Sequence, residues 1–267
     1  MAKSAVLDDR SGRSDPSRKT AFVAGVLYLV TFASSIPAVF LLGPALNDPS
    51  YITGAGPEGT VRFGAFLDLV NALAVIGTAV ALFSVTKRHH EGFALGFVTT
   101  RMFEAAVLTV GVMAMLSIVI LRQNAAAASD SGSLTTVGQS LVAVRYWSFY
   151  IGTGMAAANE LMLATVMYRS RLVPRAIPAL GLIGVVTFGS WVYAQILGFS
   201  EPGSVWHTAG VAPIFIWELS LGLWMTVKGF NRSAPIVSDM AAEAGAPVRE
   251  ATFASTPVAP VADAARA

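Results

Sequence analysis

The chain has 267 residues, of which 54% are hydrophobic and 13% charged, and its mean hydropathy is +0.62. A soluble domain carries about 25% charge, so this composition excludes an ordinary water-soluble globule. The net charge of +2 is too small to argue for a nucleic-acid partner, and the lack of cysteine excludes a disulfide framework, an iron–sulfur site and a thiolate metal site.

Residues 1–20 form a polar tail holding Lys3, Arg10, Arg13, Arg18 and Lys19, expected to be disordered and cytoplasmic. The apolar run that follows is too long for a cleaved signal peptide. It forms the first expected span, about Ala21 to Leu42, with Tyr28, Thr31 and Ser35 on one face and a kink at Pro37. A Gly/Pro-rich loop is expected from Gly43 to Arg62, then a second span from about Phe63 to Val85. The second span carries Asp68 and Asn71, three residues apart and so on one face.

After the connector Thr86–Glu91, a third span runs from about Phe93 to Leu121 and contains Arg101 and Glu104. Gly92 and Gly96 near its start have the spacing of a close helix crossing, or of chance in a glycine-rich chain. A low-complexity loop is expected from Gln123 to Val144. The fourth span, about Arg145 to Tyr168, aligns Tyr146, Phe149, Thr153, Ala156 and Glu160 on one stripe, with Asn159 adjacent. The fifth span covers about Ala176 to Phe199 and the sixth about Val211 to Val227, with Glu218 in its outer half. Residues 231–267 are Ala/Pro/Val-rich without helical period and are expected to be a disordered cytoplasmic tail.

Each apolar run is near the ~20 residues needed to cross a ~30 Å hydrocarbon core. Lys and Arg concentrate in alternate connectors: Lys87 and Arg88, then Arg169, Arg171 and Arg175, then Lys228 and Arg232. The positive-inside bias therefore places both termini in the cytoplasm. The expected fold is all-α, a polytopic bundle of six transmembrane helices over residues 21–230.

Ions inside a bilayer cost roughly 3 kcal/mol each even on the lenient insertion scale, so they mark candidate sites. Arg101 and Glu160 each lie eight residues from the cytoplasmic end of their spans, ~12 Å deep, and can meet. Glu104 projects into the same sector as Arg101. A structural ion pair is the competing reading. Asp68 and Glu218 are placed shallower, at ~8 and ~10 Å, and for these two and for Asn71, on the Asp68 face, helix-to-helix hydrogen bonding competes with a functional role. Gln195 reads as packing glue, and Tyr146, Trp147, Phe149 and Tyr150 as an interfacial belt.

No metal or other cofactor is expected. The histidines His89, His90 and His207 lie on opposite sides of the membrane and cannot converge on a metal or a haem. No G-x-S-x-G elbow or phosphate loop occurs. Glu104 and Glu160 could form an acid/base pair, but Arg101 between them would commit them to charge balance.

Three blocks carry a resemblance: Gly96–Ala105, with Thr100-Arg101-Met102-Phe103-Glu104; Arg171–Arg175 with Ala179–Gly184; and Trp217–Phe230, the most specific. Together they resemble the bacterial integral-membrane family known as domain of unknown function 4386, over about Thr20 to Phe230. The resemblance implies a multi-pass protein of the bacterial cytoplasmic (inner) membrane and supplies no catalytic residue. Three function classes stay open beside the lipid-bilayer environment. The first binds or transports a small polar or ionic ligand at Arg101, Glu104 and Glu160. The second is structural or regulatory and acts through partners. The third modifies lipids. Neither a ligand nor an oligomeric state follows from the sequence.

Overall fold

The computed structural model describes residues 16–54, 56–125, 131–201 and 204–245, and these contain helices and no strand. The helices are α1 (Pro16–Asn47), α2 (Glu58–Thr86), α3 (Glu91–Ala125), α4 (Ser131–Ser170), α5 (Ala176–Ile196), α6 (Val205–Val227) and α7 (Pro235–Gly245). Five of them, α1, α2, α3, α5 and α6, are long and apolar enough to cross a membrane. The 21 residues of α5 alone span about 32 Å, the thickness of the hydrocarbon core.

The first six helices form a ring in chain order. Each packs on the next, and α6 closes back on α1. Large apolar side chains cover the outside, among them Phe40, Leu73, Val80, Val186 and Tyr193. The charges Arg101, Glu104, Arg145 and Glu160 are buried inside. Apolar outside and ionic within is the arrangement a lipid solvent selects, so this is a membrane protein.

At one end of the ring lie the start of α1, the connectors 87–90 and 171–175, and α7. We call this the basic end. The α1–α2, α3–α4 and α5–α6 connections lie at the other, the loop end.

Small residues let α1 and α6 touch. A Cβ on Gly25 would lie 2.6 Å from the Thr226 backbone nitrogen and 2.8 Å from the Gly222 carbonyl oxygen, so only glycine fits this crossing. The Gly92/Gly96 pair makes no such crossing: a Cβ on Gly96 meets only the flexible end of Met162. Arg18 finishes the α1–α6 seam by donating to the carbonyls of Met225, Thr226 and Val227 at 3.1, 2.9 and 3.1 Å. A cation capping the final carbonyls of α6 also complements its dipole.

Several expected boundaries are corrected. The loop Gln123–Val144 is largely helix: α3 runs on to Ala125 and α4 begins at Ser131. Leu134, Leu141 and Val142 recur at helical spacing and pack against Leu42, Tyr51, Val61 and Met115, which outweighs the turn-forming Ser, Thr and Gly around them. The loop after α1 shortens for similar reasons. α1 continues through Pro37 and Pro44 to Asn47, and α2 starts at Glu58 with a Glu58–Arg62 pair at 2.9 Å. Helix α5 stops at Ile196, and α6 starts at Val205, where the Ser204 side chain accepts from the His207 N–H.

The expectation of no helix beyond Asn231 is corrected over Pro235–Gly245. Ile236, Val237 and Met240 on α7 are buried against the same core as Ala21, Val85 and Met225. Glu243 on α7 takes two bonds from Arg88, both 2.8 Å. The rest of the tail that was expected to be disordered, residues 246–267, lies outside the described residues, as do residues 1–15 of the N-terminal tail.

Candidate functional site

The site grows from α3. Arg101, Glu104, Leu108 and Met115 follow the helical period and turn inward together. Arg101 is buried, and its guanidinium divides itself among four helices. Nη1 donates to Glu104 Oε2 at 3.3 Å. Nη2 donates to Tyr28 Oη on α1 at 3.1 Å, to Glu160 Oε1 on α4 at 3.3 Å and to Glu218 Oε1 on α6 at 2.8 Å. The rings of Tyr28 and Phe97 stand 5.4 and 5.7 Å from the guanidinium carbon, within cation–π range.

A second layer holds the carboxylates. Asn159 Nδ2 donates to Glu104 Oε2 at 2.8 Å. The Trp217 indole N–H donates to Glu160 Oε2. Asn159, Glu160, Tyr28 and Trp217 have no solvent exposure. Arg101 Nε and Asn159 Oδ1 are buried without a hydrogen-bond partner among the described residues. One guanidinium thus faces three carboxyl groups. Fully ionised, the four groups would carry two uncompensated negative charges, which a desolvated interior disfavours.

Above this cluster, toward the loop end, the six helices line a partly open cavity of about 270 Å³. Arg101, Glu104 and Glu218 meet it from the cluster. Phe32, Phe149, Phe188, Trp191 and Phe215 contribute its walls, and His207 lies toward the loop end, stacked on Trp191 with centroids 4.4 Å apart. The Trp191 indole N–H is buried and unpartnered among the described residues. On the other side of the cluster, Leu82, Phe97, Leu163, Met167 and Leu221 pack without solvent exposure above 1%. The cavity therefore approaches Arg101 from one end and meets packed hydrocarbon beyond it.

Of the candidate residues, the structure brings Arg101, Glu104, Asn159, Glu160 and Glu218 together. Asn71 lines the cavity without belonging to the cluster. Asp68 is elsewhere: it accepts from Arg145 Nη2 at 2.6 Å, and Arg145 lies 15 residues along α4 from Glu160, about 22 Å away. The shallow placement of Glu218 is corrected. Because α6 begins at Val205, Glu218 is about 20 Å along it, level with Arg101. Gln195 donates to Tyr146 Oη at 2.6 Å, in keeping with packing glue.

Tyr28, Trp217, Trp191 and His207 were not singled out as site residues. A signal existed for the first. The stripe Tyr28, Thr31, Ser35 on α1 points at the site, and Thr31 and Ser35 line the cavity. The α4 stripe does the same through Phe149, Thr153 and Ala156. Trp217 is an apolar residue in an apolar run, and nothing local marks its indole as a carboxylate partner.

The family model described as domain of unknown function (DUF4386) matches residues 23–229, and the chain belongs to that family. No curated protein and no solved structure matches it.

Proposed function

We propose that this DUF4386 protein crosses the bacterial cytoplasmic membrane six times and binds a small organic cation in its central cavity, for transport or for sensing. The observation that carries the reading is the cavity reaching Arg101, Glu104 and Glu218, where three carboxyl groups face one guanidinium. A cation entering there supplies missing positive charge. The aromatic walls suit a cation with an apolar body, such as a protonated amine or a quaternary ammonium, through cation–π attraction worth about 0.5–2 kcal/mol per contact.

Six crossings are supported by the ring. α3 and α5 both start at the basic end, so α4 between them runs back the full depth, and its 40 residues reach about 60 Å. The orientation is supported by Lys87, Arg88, Arg169, Arg171, Arg175 and Lys228 at one end, against Arg62, Arg122 and Arg145 at the other. The cavity then lies on the extracytoplasmic side of the cluster, while the packed core below closes the cytoplasmic path.

The test is ligand-dependent thermal stability and tryptophan fluorescence of the purified protein in detergent. The probes are tetramethylammonium, tetraethylammonium, butylammonium and their neutral alkane-alcohol counterparts. Cations should raise the midpoint and perturb the emission where neutral probes do not, and Glu218→Gln should abolish both effects. Equal response to charged and neutral probes, or no response to any, overturns the cation reading. It would favour the second reading, a cluster that only locks the bundle, which the complete burial of Glu160 under Trp217 supports.

A further inference from the structure

At the basic end a second cavity, about 450 Å³, lies between the α4–α5 turn and the segment joining α6 to α7. Its charged lining residues are Arg171, Arg175 and Lys228, and no carboxylate lines it. None of the three cations takes part in an ion pair among the described residues. Three like charges facing one cavity repel each other, an arrangement that an anion between them relieves.

The pocket is built rather than incidental. Arg171 holds φ 57°, the left-handed region that non-glycine residues rarely enter, and Gly229 across the cavity holds φ 77°. Asn231 pins the two segments together. Its backbone N–H donates to the Leu172 carbonyl at 2.8 Å, and its Nδ2 to the Arg171 carbonyl at 3.3 Å. Arg175 is steadied by the Tyr168 ring, 5.1 Å from its guanidinium carbon. Helix α5 begins here with no side-chain cap, adding the positive end of its dipole.

The neighbouring surface points to the source of the anion. Trp224, half-buried, forms one wall of the cavity. Leu223 and Val227 beside it are exposed on the lipid-facing side of α6. The pocket thus sits where an apolar wall meets a cluster of cations, at headgroup level. We infer that this cavity binds the phosphodiester of an anionic glycerophospholipid, its phosphate among Arg171, Arg175 and Lys228 and its acyl chains along Leu223 and Val227. This site is separate from the central cavity, and the inference does not depend on what that cavity binds.

The experiment uses the full chain in nanodiscs of phosphatidylcholine with or without phosphatidylglycerol, read by thermal unfolding. Phosphatidylglycerol should raise the midpoint by about 5 °C at concentrations far above Kd. The double variant Arg171→Gln/Lys228→Gln keeps Arg169, Arg175, Lys87 and Arg88 for topology. It should melt like wild type in phosphatidylcholine alone and lose the gain. If the double variant does not fold, Lys228→Gln alone should lose part of the gain, and Lys228→Arg should restore it. A parallel arm adds inorganic phosphate or glycerol 3-phosphate to protein in phosphatidylcholine. An equal shift from either soluble anion overturns the lipid as source. Retention of the phosphatidylglycerol gain in the folded variants, or no gain in wild type, overturns the site.

Discussion

Arg101 Nη2 lies 2.8 Å from Glu218 Oε1, across 117 residues of sequence. Of the three carboxylates around Arg101, Glu218 is the most exposed, its side chain 18% accessible against 6% for Glu104 and 0% for Glu160. Arg101 therefore serves two environments at once. It holds Glu160, which is sealed from the cavity, and it also holds Glu104 and Glu218, which line the cavity.

This division sets an order of costs. Arg101→Ala leaves three carboxyl groups around an unfilled space, and breaking a buried pair costs about 3–5 kcal/mol. Glu160→Gln keeps the shape but weakens the bonds from Arg101 and Trp217, so it should cost less, about 1–3 kcal/mol. Glu218→Gln, beside the cavity, should be close to neutral in stability while losing ligand response. Thermal unfolding of the three variants in one detergent gives the order. If Arg101→Ala melts like wild type, the cluster does not hold the bundle.

The seam between α1 and α6 depends on Gly25. A single methyl there meets backbone of α6, which cannot swing away as a side chain would. Gly25→Ala should destabilise by about 1–3 kcal/mol, and Gly25→Leu should prevent stable extraction. Gly96→Ala, meeting only the end of Met162, is the control and should cost less. Equal melting of Gly25→Ala and Gly96→Ala would show that the crossing is slack.

Helix α7 should contribute to stability. Truncation that removes residues 235–267 uncovers the core touched by Ile236, Val237 and Met240, a loss of roughly 5–9 kcal/mol as an upper estimate from burial alone. The same protein melting unchanged would mean that α7 is not docked. The Arg88–Glu243 pair adds little, because Glu243 is exposed. The Arg88 guanidinium holds the Glu243 carboxyl below its ordinary range. A lowered carboxylate contributes above its unfolded pKa and is lost as pH falls through the folded one. Glu243→Gln should thus change the melting point little near neutrality and remove any acid-side dependence of α7 docking, read by proteolysis after Ser233.

Threading is tested by reporter fusions. Reporters after Pro57 or Glu201 should read as extracytoplasmic, and one at Arg171 as cytoplasmic. Loss of the α4 crossing would reverse the Arg171 and Glu201 readings together and leave Pro57 unchanged, whereas reversal of all three would invert the proposed orientation.

The sequence by itself determined the solvent, and it carries the basic-residue bias on which the proposed threading rests. A bilayer demands long apolar runs, and the translocation bias demands basic residues in alternate connectors; both are local properties that a linear string records. It also marked Arg101, Glu104 and Glu160, because an ion amid hydrocarbon stands out without any neighbour in view. Tertiary structure decided the rest. The first half of α4 and all of α7 carry weak local signals, and become helices with a buried face only because Tyr51, Met115 or Val85 and Met225 are there to receive them. Glu218 joined the cluster because the start of α6 moved outward by six residues, which shifts depth along a helix by about 9 Å. The cavity itself depends on how six helices rotate about their axes, and that rotation is set by packing between segments far apart in the chain, which no local pattern encodes.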